Sequence, residues 1–271
     1  MGYVFDFHDA TAYDKWLKKD HHRHSLELER RLMVDMLKPL PGETLLDIGC
    51  GTGESLLPFM GMGLEVTGLD ASPYMIDIAV KKTENRAVFH RGYAEDLPFE
   101  DNSFNHACIF TTLEFVDHPQ KAIEEACRVA KDRLFVGFLN RFAIKCIQRR
   151  VKGIFSDTIY NKAHFFSIWK IKQLIRSAVG DVPLSWRTVC CIPGHPNRLA
   201  GKIEQSELIK RSPFGAFAGV VVTLMPRYRT TPMTLKYKTK KTPGTMTGLA
   251  GNVRCEDPDH YSGSLTLRKT G

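Results

Sequence analysis

No apolar stretch in these 271 residues is long enough to cross a bilayer; the longest, Phe214 to Met225, has Gly215 and Gly219 inside it. Nor does Met1 to Asp9 pair a basic start with an apolar run, so no secretory signal is expected. A myristoylation site needs Ser or Thr at position 6, where Asp6 stands. The seven cysteines, Cys50, Cys108, Cys127, Cys146, Cys190, Cys191 and Cys255, include no C-x-x-C pair. Odd in number and several of them inside apolar segments, they read as reduced, structural thiols of a cytoplasmic protein. Metal is disfavoured on the same grounds: His21, His22 and His24 cluster beside His8 without a second ligand pair at finger-like spacing. A basic face is lacking too. The formal net charge is +8, but from Arg227 onward nine Lys or Arg stand against three acids, which puts six of those charges in the last 45 residues. Nucleic acid is therefore not expected as a partner of the folded part.

What is present is 43 % hydrophobic residues, enough at this length for one large core, and one stretch around which the chain is organised. Leu45-Leu46-Asp47-Ile48-Gly49-Cys50-Gly51-Thr52-Gly53 describes a buried strand ending in a tight loop, where glycines at alternate positions let backbone approach a ligand closely. Glu54, Ser55, Leu56 and Leu57 follow, so the loop is expected to open at once into a helix whose free N–H groups face the glycines. A pocket of that kind lies at the carboxyl end of a parallel strand.

Along the chain, Leu26 to Leu37 has helical apolar spacing and is closed by Pro39 and the Pro41-Gly42 turn. A second strand, Leu64 to Leu69, ends at Asp70, and Ser72 with Pro73 caps a helix through Lys82. A short third strand, Ala87 to His90, leads into Gly92 to Phe99. The fourth strand is His106 to Thr112, followed by a helix from Gln120 to Ala130 and a fifth strand from Arg133 to Leu139. This alternation predicts a doubly wound, Rossmann-like α/β sheet, mostly parallel, with helices on both faces. After Asn140 the rhythm breaks. Arg141 to Gly153 reads as a short basic amphipathic helix, with Arg141, Lys145 and Arg149 four apart. Its charged side either grips an acidic substrate or anionic lipid, giving peripheral membrane contact, or is simply solvated. Ser167 caps a helix through Val179. Strands Leu184 to Ile192 and Ala216 to Leu224 close the fold, the last one antiparallel. Beyond Pro226 the chain is rich in Thr, Lys, Gly and Pro and reads as a mobile tail.

The chemistry turns on what the glycine loop holds. A dinucleotide fingerprint, G-x-G-x-x-G, would need glycine where Glu54 stands, which demotes a nicotinamide oxidoreductase. Asp70, at the tip of the second strand, can accept both hydroxyls of a ribose in charge-assisted hydrogen bonds. The Gly92 to Phe99 loop then lies next to the base of the same nucleoside.

With these segments the sequence resembles the class I S-adenosylmethionine-dependent methyltransferases of the small-molecule, type 11-like branch. The resemblance runs through Leu45 to Gly53, Gly68-Leu69-Asp70-Ala71-Ser72, Ala94-Glu95-Asp96-Leu97-Pro98-Phe99, Asp101-Asn102-Ser103-Phe104 and Glu125-Ala126-Cys127-Arg128-Val129. It implies S-adenosylmethionine as cofactor, with Gly49, Cys50, Gly51 and Gly53 against its methionine and ribose parts and Asp47 holding the amino group directly or through water. It also implies Asp70 and Ala71 at the ribose, flanked by Met75 or Ile76, with the Ala94 N–H and Glu95 at the adenine and Thr111 at the strand-four exit. Tyr93 stands where the family often has the Asp that meets the adenine amino group, and Asn105 where it often has Asp.

The implied architecture is a methyltransferase domain over residues 1–226, with an N-terminal helical lid over 1–40 and an acceptor-side insertion over 141–166, followed by a basic tail over 227–271. The expected reaction is in-line methyl transfer to a small-molecule acceptor, for which Glu114, His118 and Tyr13 are the candidate catalytic residues. Glu114 and His118 can instead merely order a loop. Two other functions stay open at this point: an S-adenosylmethionine-binding regulatory protein without turnover, and an RNA or protein methyltransferase recruited by the tail.

Overall fold

The computed structural model describes residues 2–143, 163–189 and 211–224, all within the unit Met1–Arg229. Two helices, α1 (Phe7–Leu17) and α2 (Asp20–Leu37), precede the sheet. They are followed by β1 (Thr44–Ile48), α3 (Leu57–Gly61), β2 (Glu65–Asp70), α4 (Pro73–Lys82) and β3 (Val88–Arg91). Next come β4 (Phe104–Phe110), a single 3-10 turn (Leu113–Phe115), α5 (Pro119–Val129) and β5 (Ala130–Leu139). The remaining elements are α6 (Ile168–Val179), β6 (Leu184–Val189) and β7 (Phe217–Thr223).

The strands form one seven-stranded sheet in the order β3-β2-β1-β4-β5-β7-β6. The first five are mutually parallel, and β7 runs antiparallel to both β5 and β6. The expected antiparallel last strand is therefore present, but it is inserted between β5 and β6 rather than added at the edge. That position suits its sequence: Phe217 to Val222 are all buried, as a strand with neighbours on both sides and layers on both faces must be.

Period-2 alternation divides the core into two layers. Leu46, Ile48, Ala107, Ile109, Leu134, Val136 and Phe138 face α5 and α6, while Leu45, Cys108, Phe110 and Phe135 face α2 and α3. Helix α6 buries Ile168, Ile171 and Ile175, three side chains worth about 1.5–3 kcal/mol each in area removed from water. Its Ser167 hydroxyl accepts from the Lys170 N–H, the cap its sequence calls for.

Several boundaries differ from expectation. The glycine loop does not open into a helix at Glu54; turns run to Leu56 and α3 is only five residues long. The first helix-competent N–H groups are consumed by the loop itself, where Gly53 N–H reaches Cys50 O and Leu56 N–H reaches Gly53 O. Strand β4 stops at Phe110 because Thr111 takes a left-handed conformation, φ +52°. Arg141 to Ala143 form a turn, while the rest of the expected basic helix lies outside the described residues, as do the Pro193-Gly194-His195-Pro196 loop and the 227–271 tail. No described helix is long and apolar enough to cross a membrane.

Candidate functional site

A cavity of about 460 Å³ opens at the carboxyl ends of β1, β2 and β4. One half is backbone-rich: Gly49, Cys50 and Gly51 from the loop, Asp70 and Ala71 from the tip of β2, and Ala94 and Glu95 after β3. The other half is aromatic, with Phe5, Tyr13, Trp16, Phe110 and Phe115 in its wall. The two halves meet at Thr111 and Thr112.

The loop is held from below. Gly49 and Cys50 both donate to Leu69 O, at 2.7 and 3.0 Å. Gly49 has φ +74°, and a Cβ there would overlap the Thr112 side chain, whose hydroxyl donates at 3.0 Å to Ile48 O. Gly51 has φ +51° and open space around its absent Cβ, so it forms a bare cradle on the cavity side. Its N–H donates at 2.8 Å to Asp70 Oδ2, while Ser72 N–H donates at 2.8 Å to Oδ1. Burial pushes the Asp70 carboxyl up, and these N–H groups oppose the shift without cancelling it. Each oxygen keeps a lone pair for an incoming hydroxyl. The residues present thus fit an adenosyl ligand: a glycine cradle, a fixed carboxylate, and Met75 with the Tyr93 to Glu95 segment for a base.

Of the residues singled out for cofactor binding, Gly49, Cys50, Gly51, Asp70, Ala71, Met75, Ala94, Glu95 and Thr111 line this cavity, whereas Asp47 and Gly53 do not. Asp47 is fully buried beneath the loop, where it accepts from the Ser55 hydroxyl and, at 3.2 Å, from the Cys108 thiol. Burial pushes its carboxyl up to about 6 despite those donors. Ser55, not Asp47, lines the cavity. Gly53 allows close packing instead, since a Cβ there would lie 3.2 Å from that of Ala79.

Of the three catalytic candidates, Tyr13 lines the cavity and stacks on Trp16 at 5.9 Å. Glu114 is fully buried just behind the wall. Its Oε1 accepts the N–H of the wall residue Leu139 at 2.6 Å, and its Oε2 has no partner among the described residues. Burial pushes Glu114 up to about 7. His118 stands at the N-terminus of α5 and lines a separate, shallower groove; its N–H donates to Glu95 Oε1 at 3.4 Å.

Sequence reasoning missed the ties that set the N-terminal helices over the loop. Lys82 Nζ donates to Asp14 and Glu54, at 2.9 and 2.8 Å, and Arg30 reaches the Glu54 carboxylate at 2.8 Å. Burial raises Asp14, but Lys18 and Lys82 outweigh it and hold the carboxyl below its ordinary value. No spacing in the chain announces these partners, which lie 24 to 68 residues apart. The N-terminal segment is also anchored: Tyr3 N–H donates to Phe115 O at 2.8 Å, and Ser72 Oγ donates to Phe5 O at 2.6 Å.

A family model described as a methyltransferase domain matches residues 46–134. Demethylmenaquinone methyltransferase of Renibacterium salmoninarum is 41 % identical over 102 residues, 38 % of this chain and 43 % of that protein. An uncharacterised protein of Methanocaldococcus jannaschii is 32 % identical over 177 residues, covering 64 % of this chain and 78 % of that one. Among solved structures, a methyltransferase of Thermotoga maritima that depends on S-adenosylmethionine, described as a possible histamine N-methyltransferase, aligns with TM-score 0.61. It is 26 % identical, over 80 % of this chain and 96 % of that chain. The chain spans about two-fifths of the length of the demethylmenaquinone methyltransferases it matches.

Proposed function

The chain belongs to the class I S-adenosylmethionine-dependent methyltransferases, and from that premise we propose that it transfers the methyl group to a small, ring-bearing acceptor seated against the aromatic half of the cavity. The carrying observation is the two-part cavity, in which the Asp70 and glycine-loop half meets an aromatic wall at Thr111 and Thr112. Relatives named for demethylmenaquinone support a ring-bearing acceptor. The buried free thiols of Cys50 and Cys108 fit a reducing, cytoplasmic compartment.

Bound S-adenosylmethionine supplies an electrophilic methyl group on a sulfonium. The protein's work is then alignment. Asp70 and the Gly51 cradle fix one reactant, Tyr13 and Trp16 press the other, and such positioning contributes roughly 7–11 kcal/mol to an in-line displacement. Tyr13 also offers a hydroxyl to the acceptor. Glu114 and His118 are assigned the ordering of the wall, one by holding Leu139 and the other by meeting Glu95.

The full chain, incubated with methyl-labelled S-adenosylmethionine and a metabolite extract, should add one methyl mass to a small molecule, and S-adenosylhomocysteine should suppress the gain. Cofactor binding by calorimetry with no transferred label to any small molecule would overturn the reading in favour of a binding protein without turnover. Once the acceptor is in hand, Tyr13→Phe should raise its KM by roughly two- to tenfold, the loss of one hydrogen bond, while cofactor affinity measured in its absence stays at the parental value. An unchanged KM would remove Tyr13 from the acceptor wall.

A further inference from the structure

One buried residue ties together three segments that carry exposed aromatic side chains. Asn140, at the end of β5, donates through Nδ2 to Pro213 O and Gly215 O at 2.7 and 2.9 Å, and its Oδ1 accepts the Phe142 N–H at 3.2 Å. It also pairs with Phe166, one residue before the Ser167 cap of α6. The result is that Phe142 and Trp169 meet edge-on at 5.8 Å and the Pro213–Gly215 segment carrying Phe214 is tied to the same end of β5, the three rings being 45, 60 and 59 % exposed. Clustered exposed rings of this size mark a binding surface.

Among the described residues, the exposed charges nearest them in the chain are basic. Helix α6 turns Ile168, Ile171 and Ile175 inward and carries Lys170, Lys172 and Arg176 with no acid along its length. Arg141 and Arg211 are exposed, the first next to Phe142 and the second three residues before Phe214. Among the described residues the acids stand at the margin, with Asp117 and Glu124 lining one groove with Lys170 and Asp181 at 3.7 Å from Arg176. Rings flanked by Lys and Arg suit the headgroup region of a bilayer, where the rings enter the apolar boundary and the cations meet lipid phosphates. A protein interface, by contrast, is depleted of Lys at its centre. Stacking on nucleobases fits less well, because the Phe142 face is covered by the Arg141 guanidinium at 5.6 Å and its ring meets Trp169 edge-on at 5.8 Å.

We propose that this face, Phe142, Trp169 and Phe214 with Arg141, Lys170, Lys172 and Arg211, docks the protein on an anionic lipid surface. Leu139, two residues before Arg141, lines the cavity, so the docking face and the cavity share the carboxyl end of β5. Docking itself does not depend on methyl transfer.

The test is sedimentation of the full chain with phosphatidylcholine vesicles, neutral or doped with phosphatidylglycerol. Binding should require the anionic lipid and weaken with added salt. Phe142→Ala/Trp169→Ala should lower the partition coefficient about tenfold. Lys170→Glu/Lys172→Glu should lower it by about fivefold per lysine or more. Lys38→Glu/Lys131→Glu, the same change of charge on exposed residues at the opposite end of the sheet, should leave it at the parental value. Circular dichroism confirms that each variant is folded. Equal loss in the control pair would assign any binding to overall charge, and parental binding by both face variants would assign it elsewhere; either overturns the proposal. So does a chain that ignores both vesicles but binds single-stranded RNA through these residues.

Discussion

Asp70→Asn should weaken binding of S-adenosylmethionine and of S-adenosylhomocysteine by roughly 10² to 10⁴-fold in calorimetry while the chain stays folded. In the proposed binding mode two charge-assisted hydrogen bonds to the ribose are lost, each worth about 1.5–3 kcal/mol, and every 1.4 kcal/mol is about tenfold in affinity. The asparagine amide also turns a donor toward either Gly51 N–H or Ser72 N–H, both of which now find an oxygen at 2.8 Å. The glycine cradle loses its tie to β2 at the same time. Folding survives because the buried charge is itself costly: burial holds the Asp70 carboxyl above its ordinary value, so neutralising it removes a penalty along with the hydrogen bonds. The same shift makes cofactor affinity of the parent fall as pH drops through that raised value, while the asparagine variant shows no such dependence from this site. A threefold change or less in affinity would mean that Asp70 does not hold the ribose.

Glu114→Gln should gain stability relative to the parent as pH rises. In the folded chain the carboxyl is pushed up to about 7, against an ordinary 4.5, chiefly by burial. The folded state therefore holds this proton more tightly than the unfolded state, and the parent loses stability as pH rises from about 4.5 to 7, levelling off above. A shift of that size corresponds to about 3 kcal/mol at most. Glutamine keeps an oxygen for the Leu139 N–H and carries no charge, so its own profile lacks this loss. Relative to the parent, the variant should gain up to about 3 kcal/mol between pH 4.5 and 8 in urea unfolding. Asp47, held up to about 6, adds a slope of the same sign to both proteins and cancels in the comparison. A variant that instead loses stability at pH 8 would show that Glu114 is an ionised, paired group.

These two carboxylates differ in how far the chain alone announces them. Asp70 sits at a predicted strand tip, at a fixed remove from the glycine loop, and its place follows from local pattern and strand order. Glu114 is visible only as an acid after the fourth strand. Its burial arises because the Leu113–Phe115 turn folds under Leu139, 25 residues away, and nothing in its neighbours states that. Asp47 illustrates the same gap from the other side. It stands in the glycine-loop motif, yet the turns through Leu56 bring Ser55 over it, and Ser55 takes the place in the wall.

By itself the sequence determined the alternation of strands and helices, the parallel sheet, the glycine loop and the carboxylate at the tip of β2, because period-2 and period-3.6 patterns, caps and turn residues act over a few neighbours. Only the tertiary structure decided that β7 inserts beside β5, that Lys82, Glu54, Asp14 and Arg30 lock two helices over the loop, and that Asn140 ties together the segments carrying Phe142, Trp169 and Phe214. Such contacts join residues far apart in the chain. Their partners are chosen by how the two faces of the sheet are covered, which is a property of the packed whole and of no single segment.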